Sequence, residues 1–201
     1  MTITQKDITG VILAGGKGSR FDGKDKGLIV IAGRPMVAHI IDQLAPQVGS
    51  IIINANRSLE QYSAYGFPVI ADDTTDYRGP LAGVASAMKR AVTPYILTVP
   101  CDSPRLPKDL SVRFMNCMNT KNPDICVAHD GQRMQPVTAL YRCTLLSDLT
   151  TAIDKGELGV QRWISSQNHA TADFSDQIST FANINTRVEK EEFEAGGNNP
   201  Q

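Results

Sequence analysis

Between residues 10 and 27, Gly15, Gly16, Gly18, Gly23 and Gly27 interleave with Lys17, Arg20, Lys24 and Lys26, directly behind an apolar run. Glycine lets main-chain N–H groups approach anionic oxygens with no side chain in the way. The four cations neutralise charge that N–H dipoles alone cannot. This is the chemistry of a loop that holds a triphosphate. Two familiar labels fail on it. The stretch Gly16-Lys-Gly18-Ser-Arg-Phe21 begins as GxGxxG, yet Phe21 stands where close helix-to-strand packing wants the third glycine, which disfavours a dehydrogenase. The stretch Gly18 to Lys24 matches GxxxxGK, but Asp25 follows in place of the Ser or Thr that would bind magnesium, which disfavours a P-loop ATPase. What remains is a phosphate cradle of another kind, with Arg20 and Lys26 placed to reach a leaving pyrophosphate. The competing reading is a glycine-rich surface turn with solvated cations.

Asp102 follows the apolar run Tyr95 to Val99 and lies between Pro100 and Pro104, which restrict the local backbone and hold the carboxylate in one direction. Magnesium takes hard oxygen ligands and often only one or two protein carboxylates, with phosphates and water completing its shell. One rigid aspartate is enough. The alternative is a turn aspartate capping a helix that begins near Pro107. Asn54 and Asp72 also end apolar runs, and each alone is equally consistent with a turn. The stretch Arg78 to Gly83 precedes a helix, so its N–H groups could face the same cleft. Asn183 and Asn185 alternate along a short run, which places both amides on one face, suited to a heteroaromatic or polyol substrate or to cross-strand hydrogen bonding. His39, His129 and His169 share no ligand spacing. Neither a Ser, His and Asp arrangement nor a GxSxG elbow occurs, which argues against a hydrolase with a covalent intermediate. In-line phosphoryl chemistry needs no nucleophilic side chain.

Short apolar strands must position these groups. Ile8 to Ala14, Leu28 to Ile31, Ile51 to Ile53, Val69-Ile70 and Tyr95 to Val99 read as buried strands. Helical spacing is found over 36–48, after a cap at Ser58, over 81–90, over 145–155, over 158–165 and over 186–194. The runs 124–129 and 136–142 flank the turn Asp130-Gly131 and predict an antiparallel pair, while Phe181 to Asn185 predicts a short strand. The expected fold is α/β: a three-layer, Rossmann-like open sheet, mostly parallel, with helices on both faces and an antiparallel strand pair in the C-terminal half. Ligands of such sheets bind beyond the carboxyl ends of the strands. Gly15, Asn54, Asp72 and Asp102 should therefore collect along one edge. Residues 1–194 are expected to form one domain, with a disordered Gly, Asn and Pro-rich tail over 195–201.

The chain has 201 residues, 41% hydrophobic, with a formal net charge of −1. That size can bury one substantial core. The charge balance gives no global field for nucleic acid or an anionic membrane. The cysteines at 101, 117, 126 and 143 lack zinc spacing and read as reduced, mostly buried thiols. No leader pattern and no apolar run near the ~20 residues of a spanning helix occurs, so a cytoplasmic protein is expected.

A specific set of residues goes further: Leu13-Ala-Gly-Gly16, Arg20, Asp25-Lys-Gly27, Gly33-Arg-Pro35, Asn54, Asp72, Gly79-Pro-Leu-Ala-Gly83, Pro100-Cys-Asp102 and Asn183-Ile-Asn185. With these the chain resembles the molybdenum cofactor guanylyltransferases over residues 8 to 190, most strongly in the first 105. The resemblance implies transfer of GMP from GTP to the terminal phosphate of molybdenum-bound molybdopterin, with release of pyrophosphate and Mg2+ as cofactor. It implies that Leu13, Ala14, Gly15, Lys26, Asn54, Asp72 and Asp102 serve GTP, that Asp102 holds the metal, and that Lys26, Asp102 and Arg20 are catalytic. Gly79, Gly83, Asn183 and Asn185 fall on the pterin side. Other cofactor-assembly proteins and receiving molybdoenzymes are implied partners; nucleic acid and membrane are not. Two departures stand out: Phe21 replaces a common Met, and 156–163 matches loosely, which leaves a pterin role for Arg162 open. The Leu-Ala-Gly-Gly form, against Leu-Ala-Ala-Gly in cytidylyl and sugar-nucleotide relatives, favours guanine. The alternatives are a molybdopterin cytidylyltransferase, a sugar-phosphate nucleotidyltransferase, and a non-catalytic nucleotide or molybdopterin carrier.

Overall fold

A computed structural model describes residues 2–16, 25–73 and 79–196. Its first strand, β1 (Ile8–Leu13), is buried on both faces, as its continuous apolar run requires. A tight hairpin of β2 (Val30–Ile31) and β3 (Arg34–Pro35) follows, then α1 (Met36–Leu44), β4 (Ser50–Asn54), α2 (Leu59–Ser63), β5 (Val69–Ile70), α3 (Pro80–Arg90) and β6 (Tyr95–Pro100). The second half adds α4 (Leu110–Lys121), β7 (Ile125–His129), β8 (Met134–Arg142), α5 (Leu146–Asp154), α6 (Val160–Ser165), β9 (His169–Asp173) and α7 (Arg187–Gly196).

Seven strands form one sheet in the order β5-β4-β1-β6-β8-β7-β9. All run parallel except β8, which is antiparallel to both β6 and β7. The chain moves from β1 outward to β4 and β5, then crosses back to β6 on the other side of β1. The sheet therefore reverses direction between β1 and β6, the kind of point at which open α/β sheets bind ligands. Period-two side chains build a layer on each face. Ile8 and Ile12 of β1 pack with Val37, Ile40 and Leu44 of α1 and Leu110 and Phe114 of α4. Val11 points the other way, into Leu81, Val84 and Met88 of α3, Leu149 of α5 and Trp163 of α6.

The expected three-layer α/β architecture and its antiparallel pair are present. Several local expectations change. Strand β9 pairs parallel with β7 at the sheet edge; its alternation of Ala and polar residues carries little apolar signal. Ser58 precedes α2 but adopts a left-handed backbone (φ 54°) without a side-chain cap bond. Cys117 of α4 and Cys126 of β7 face the same core layer and are joined as a disulfide, while Cys101 and Cys143 are free. Helix α7 continues through Ala195 to Gly196, so the start of the expected tail is helical, and 197–201 lie outside the described residues. Among the described residues no helix is long and apolar enough to cross a membrane.

Candidate active site

Strand register explains why distant residues meet. At the carboxyl edge, Leu13 of β1 pairs with Asn54 of β4 and with Pro100 of β6, and Asn54 pairs with Ile70 of β5. One row of the sheet thus ends with all four strands level. Gly15, Asp72 and Asp102 each follow that row by two residues. They line a single cleft of about 810 Å³, together with Leu13, Ala14, Lys26, Asn54, Gly79 and Asn183.

On the β6 side, the Lys26 ammonium donates to Asp102 Oδ2 at 3.1 Å and to Asn185 Oδ1 at 2.6 Å. Both partners of the ion pair are largely shielded from water. Ile184 N–H donates to the Asp102 carbonyl at 2.8 Å, so Asn183 and Asn185 flank that anchor. Between them Ile184 is buried with Ile31 and Met36. Residues 182–185 form no strand, a correction to the expected one: a single backbone bond and one buried side chain hold this segment in place of a ladder. Asn183 accepts from the Ser103 hydroxyl. Asn185 is held from behind, because its N–H and that of Thr186 both donate to Glu189 Oε2 at the start of α7, at 2.6 and 2.8 Å. Glu189 N–H donates back to Thr186 Oγ1, a reciprocal cap of the helix N-terminus. Cys101 lies between these groups as a thiol, which burial, with Asp102 adding to it, pushes far above its ordinary value. A buried protonated thiol is no nucleophile.

On the β4 side the residues are polar and mutually bonded. Asn54 Nδ2 donates to Asp72 Oδ1 at 2.9 Å, and Asn56 Nδ2 donates to Asp72 Oδ2 at 2.7 Å. Gly83 does not line the cleft. It sits inside α3 behind Asn54, where a Cβ would overlap Asn54 Oδ1 and approach Leu13 Cδ2 to 2.9 Å. Its place is to let α3 close against β1 and β4. Gly79 is at the cleft and has φ 73°, a left-handed conformation that L side chains rarely adopt, as it turns the chain into α3.

The opposite wall comes from β8. Val127 pairs with Ala139 but Ala128 pairs with Gln135, so Pro136, Val137 and Thr138 drop out of the β7 ladder and form cleft wall. Gln161 of α6 and Phe181 complete it. The sequence reading passed over this wall and Asn56. A proline inside the β8 run was the available signal for the first, and the Asn-Ala-Asn alternation for the second. Arg162 is largely exposed beside Glu157 and is not part of the wall. Arg20, Lys17, Lys24 and Arg78 lie outside the described residues.

The arrangement can carry out charge-stabilised phosphoryl chemistry: one lysine, one rigid carboxylate and glycine backbone at one end, hydrogen-bonding amides at the other. Comparison with known proteins agrees. Residues 10–171 match the family model described as a MobA-like NTP transferase domain. The chain is 45% identical over 186 residues to the molybdenum cofactor guanylyltransferase of Shewanella putrefaciens, covering 92% of this chain and 95% of that one. It is 44% identical to the protein of that name from Shewanella sediminis, with the same coverage. Among solved structures, the molybdopterin-guanine dinucleotide biosynthesis protein A of Archaeoglobus fulgidus superposes with a TM-score of 0.79 at 18% identity, over 94% of this chain and 98% of that one, a likeness of fold. With the family model spanning most of its length and such identities to its relatives, this chain belongs to the MobA-like NTP transferase family.

Proposed function

We propose that the protein transfers GMP from GTP to the terminal phosphate of molybdenum-bound molybdopterin, giving the guanine dinucleotide form of the cofactor and pyrophosphate. The observation that carries this reading is the Lys26–Asp102 pair at the point where the sheet reverses, beside the glycine turn after β1. The names of the relatives supply the guanine and the pterin. A pterin phosphate oxygen attacks the α-phosphorus of GTP, a new P–O bond forms, and the bond from the α-phosphorus to the bridging oxygen breaks as pyrophosphate leaves. Lys26, with Arg20 and the glycine-loop amides, counters charge on the departing phosphates. Asn54 and Asp72 face the nucleoside. The pterin lies between Gly79, Asn183 and the β8 wall, with Asn185 holding Lys26 and Gly83 backing Asn54.

Asp102 would hold Mg2+. It is a hard oxygen ligand on restrained backbone at the cleft, and among the described residues no group of three His, Cys, Asp or Glu side chains forms a closed metal cage. When bound there, the ion would supply charge neutralisation at the transferring phosphate. We read residues 1–194 as one catalytic domain working in the cytoplasm, with cofactor-assembly proteins and receiving molybdoenzymes as its partners.

Magnesium-dependent pyrophosphate release, measured with each of the four nucleoside triphosphates and molybdopterin, tests this. GTP alone is expected to support turnover. Turnover with CTP, or with UTP and a sugar phosphate, in place of GTP would overturn it. Binding without turnover would make the protein a carrier.

A further inference from the structure

We propose that Asn56 is a positioning residue for the nucleotide: it fixes the Asp72 carboxylate in the cleft and ties it to the glycine turn. This rests on the reading of the cleft as a triphosphate site. Asn56 is not itself part of the cleft lining. It stands behind Asp72 and makes three contacts through one amide. Its Nδ2 donates to Asp72 Oδ2 at 2.7 Å and to the Gly15 carbonyl at 3.3 Å, and its Oδ1 accepts from the Asp72 N–H at 2.8 Å. The amide orientation is forced, since a backbone N–H only donates and an ionised carboxylate only accepts. No flipped Asn56 satisfies both ends of Asp72.

The need for such a clamp is visible in the local structure. Strand β5 is only two residues long, and Asp72 lies beyond its end, where no ladder holds it. Asn56 follows Asn54 by two residues, so both amides converge on the same carboxylate from β4 and its extension. Among the described residues each carboxylate oxygen accepts one side-chain N–H, and a carboxylate oxygen has acceptor capacity for a further donor on a bound nucleoside. The third contact matters equally. Gly15 has Asn56 Nδ2 so close that a Cβ there would lie 2.9 Å from it. Through one side chain, the acceptor that faces the nucleoside and the turn that faces the phosphates are held at a set separation, which preorganises both halves of the nucleotide site.

The test is a double-mutant cycle on the full chain, read by calorimetric titration of GTP with magnesium and without the pterin. Asn56→Ala is expected to weaken GTP binding about tenfold or more, as loss of a hydrogen bond to a charged group does. Asn56→Asp, which sets a second carboxylate against Asp72, is expected to weaken it further. In an Asp72→Ala background, Asn56→Ala is expected to cost little more. Full additivity of the two losses would overturn the proposal, as would an unchanged Kd accompanied only by a lower unfolding temperature. If the wild-type chain binds another triphosphate in place of GTP, the reading of the base fails and the same cycle run with that nucleotide still decides the role of Asn56. A chain that binds no triphosphate overturns both.

Discussion

Lys26 and Asp102 are 76 residues apart in sequence and 3.1 Å apart in space, and the same ammonium also reaches Asn185 near the other end of the chain. Three separate segments therefore meet on one charge. Both partners of the pair are shielded yet border the cleft, so an arriving phosphate or metal competes with this ion pair for each of them. Asp102→Ala is expected to abolish pyrophosphate release while leaving the circular dichroism spectrum and unfolding transition intact. Lys26→Ala is expected to lower kcat/KM for GTP by about 100-fold, the loss typical of one preorganised charge-stabilising donor. Unchanged kinetics in steady-state assays of either variant would remove that residue from the mechanism.

Gly83→Ala sets helix propensity against packing. In an exposed helix this change stabilises by about 1 kcal/mol. Here the new methyl overlaps Asn54 Oδ1, and Asn54 is only 2% exposed, with its other amide atom bonded to Asp72. Overpacking is expected to win, with a net loss of about 1–3 kcal/mol in urea denaturation and weaker binding of GTP. A higher unfolding midpoint would show that Asn54 yields.

Tyr62→Phe removes a single oxygen that packs against Asp25 and Gly27. That hydroxyl donates to Asp25, whose carboxylate is buried immediately before Lys26 and also faces Arg57 at 3.5 Å. Burial raises the Tyr62 phenol far above its ordinary value, with Cys101 and the Asp25 contact adding to it, so the hydroxyl stays a donor at all working pH. Leaving Asp25 with one donor fewer is expected to cost about 1–3 kcal/mol. Chemical denaturation of Tyr62→Phe measures it, and a loss below the error of the method would show that Arg57 alone suffices.

Glu189 links acid stability to the site. The Asn185 N–H, foremost among its contacts, and the Thr186 hydroxyl and N–H hold its carboxyl below the ordinary glutamate value. A pKa depressed by folding contributes stability above the unfolded value and loses it as pH falls through the folded one. The wild-type unfolding temperature is therefore expected to fall from near the ordinary glutamate value, about 4.3, downward. Glu189→Gln should lower the unfolding temperature at neutral pH, where the carboxylate contributes, and converge with the wild type in acid, which flattens that part of the profile. An identical acid limb in both proteins would show that this cap does not contribute.

The sequence by itself determined the local half of this protein. Continuous apolar runs marked β1, β4 and β6 because a strand buried on both faces has no polar alternation to lose. Polar residues just past those runs marked the carboxyl edge, and the glycine-rich loop and the aspartate between prolines announced phosphate chemistry without any coordinates. Tertiary structure decided the rest, and for a physical reason: hydrogen bonds between segments far apart in the chain leave no periodicity to read. Nothing in the sequence separates Asn56 from any other polar residue after a strand; its bonds to Asp72 and Gly15 do. Gly83 looked like a cleft residue, and its missing side chain instead admits Asn54. Asn183 and Asn185 flank Ile184 without a strand: one bond to Asp102 and the burial of Ile184 hold them beside Ser103 and Lys26. Residue types named the chemistry; strand register and the packing behind each polar group decided which atoms meet.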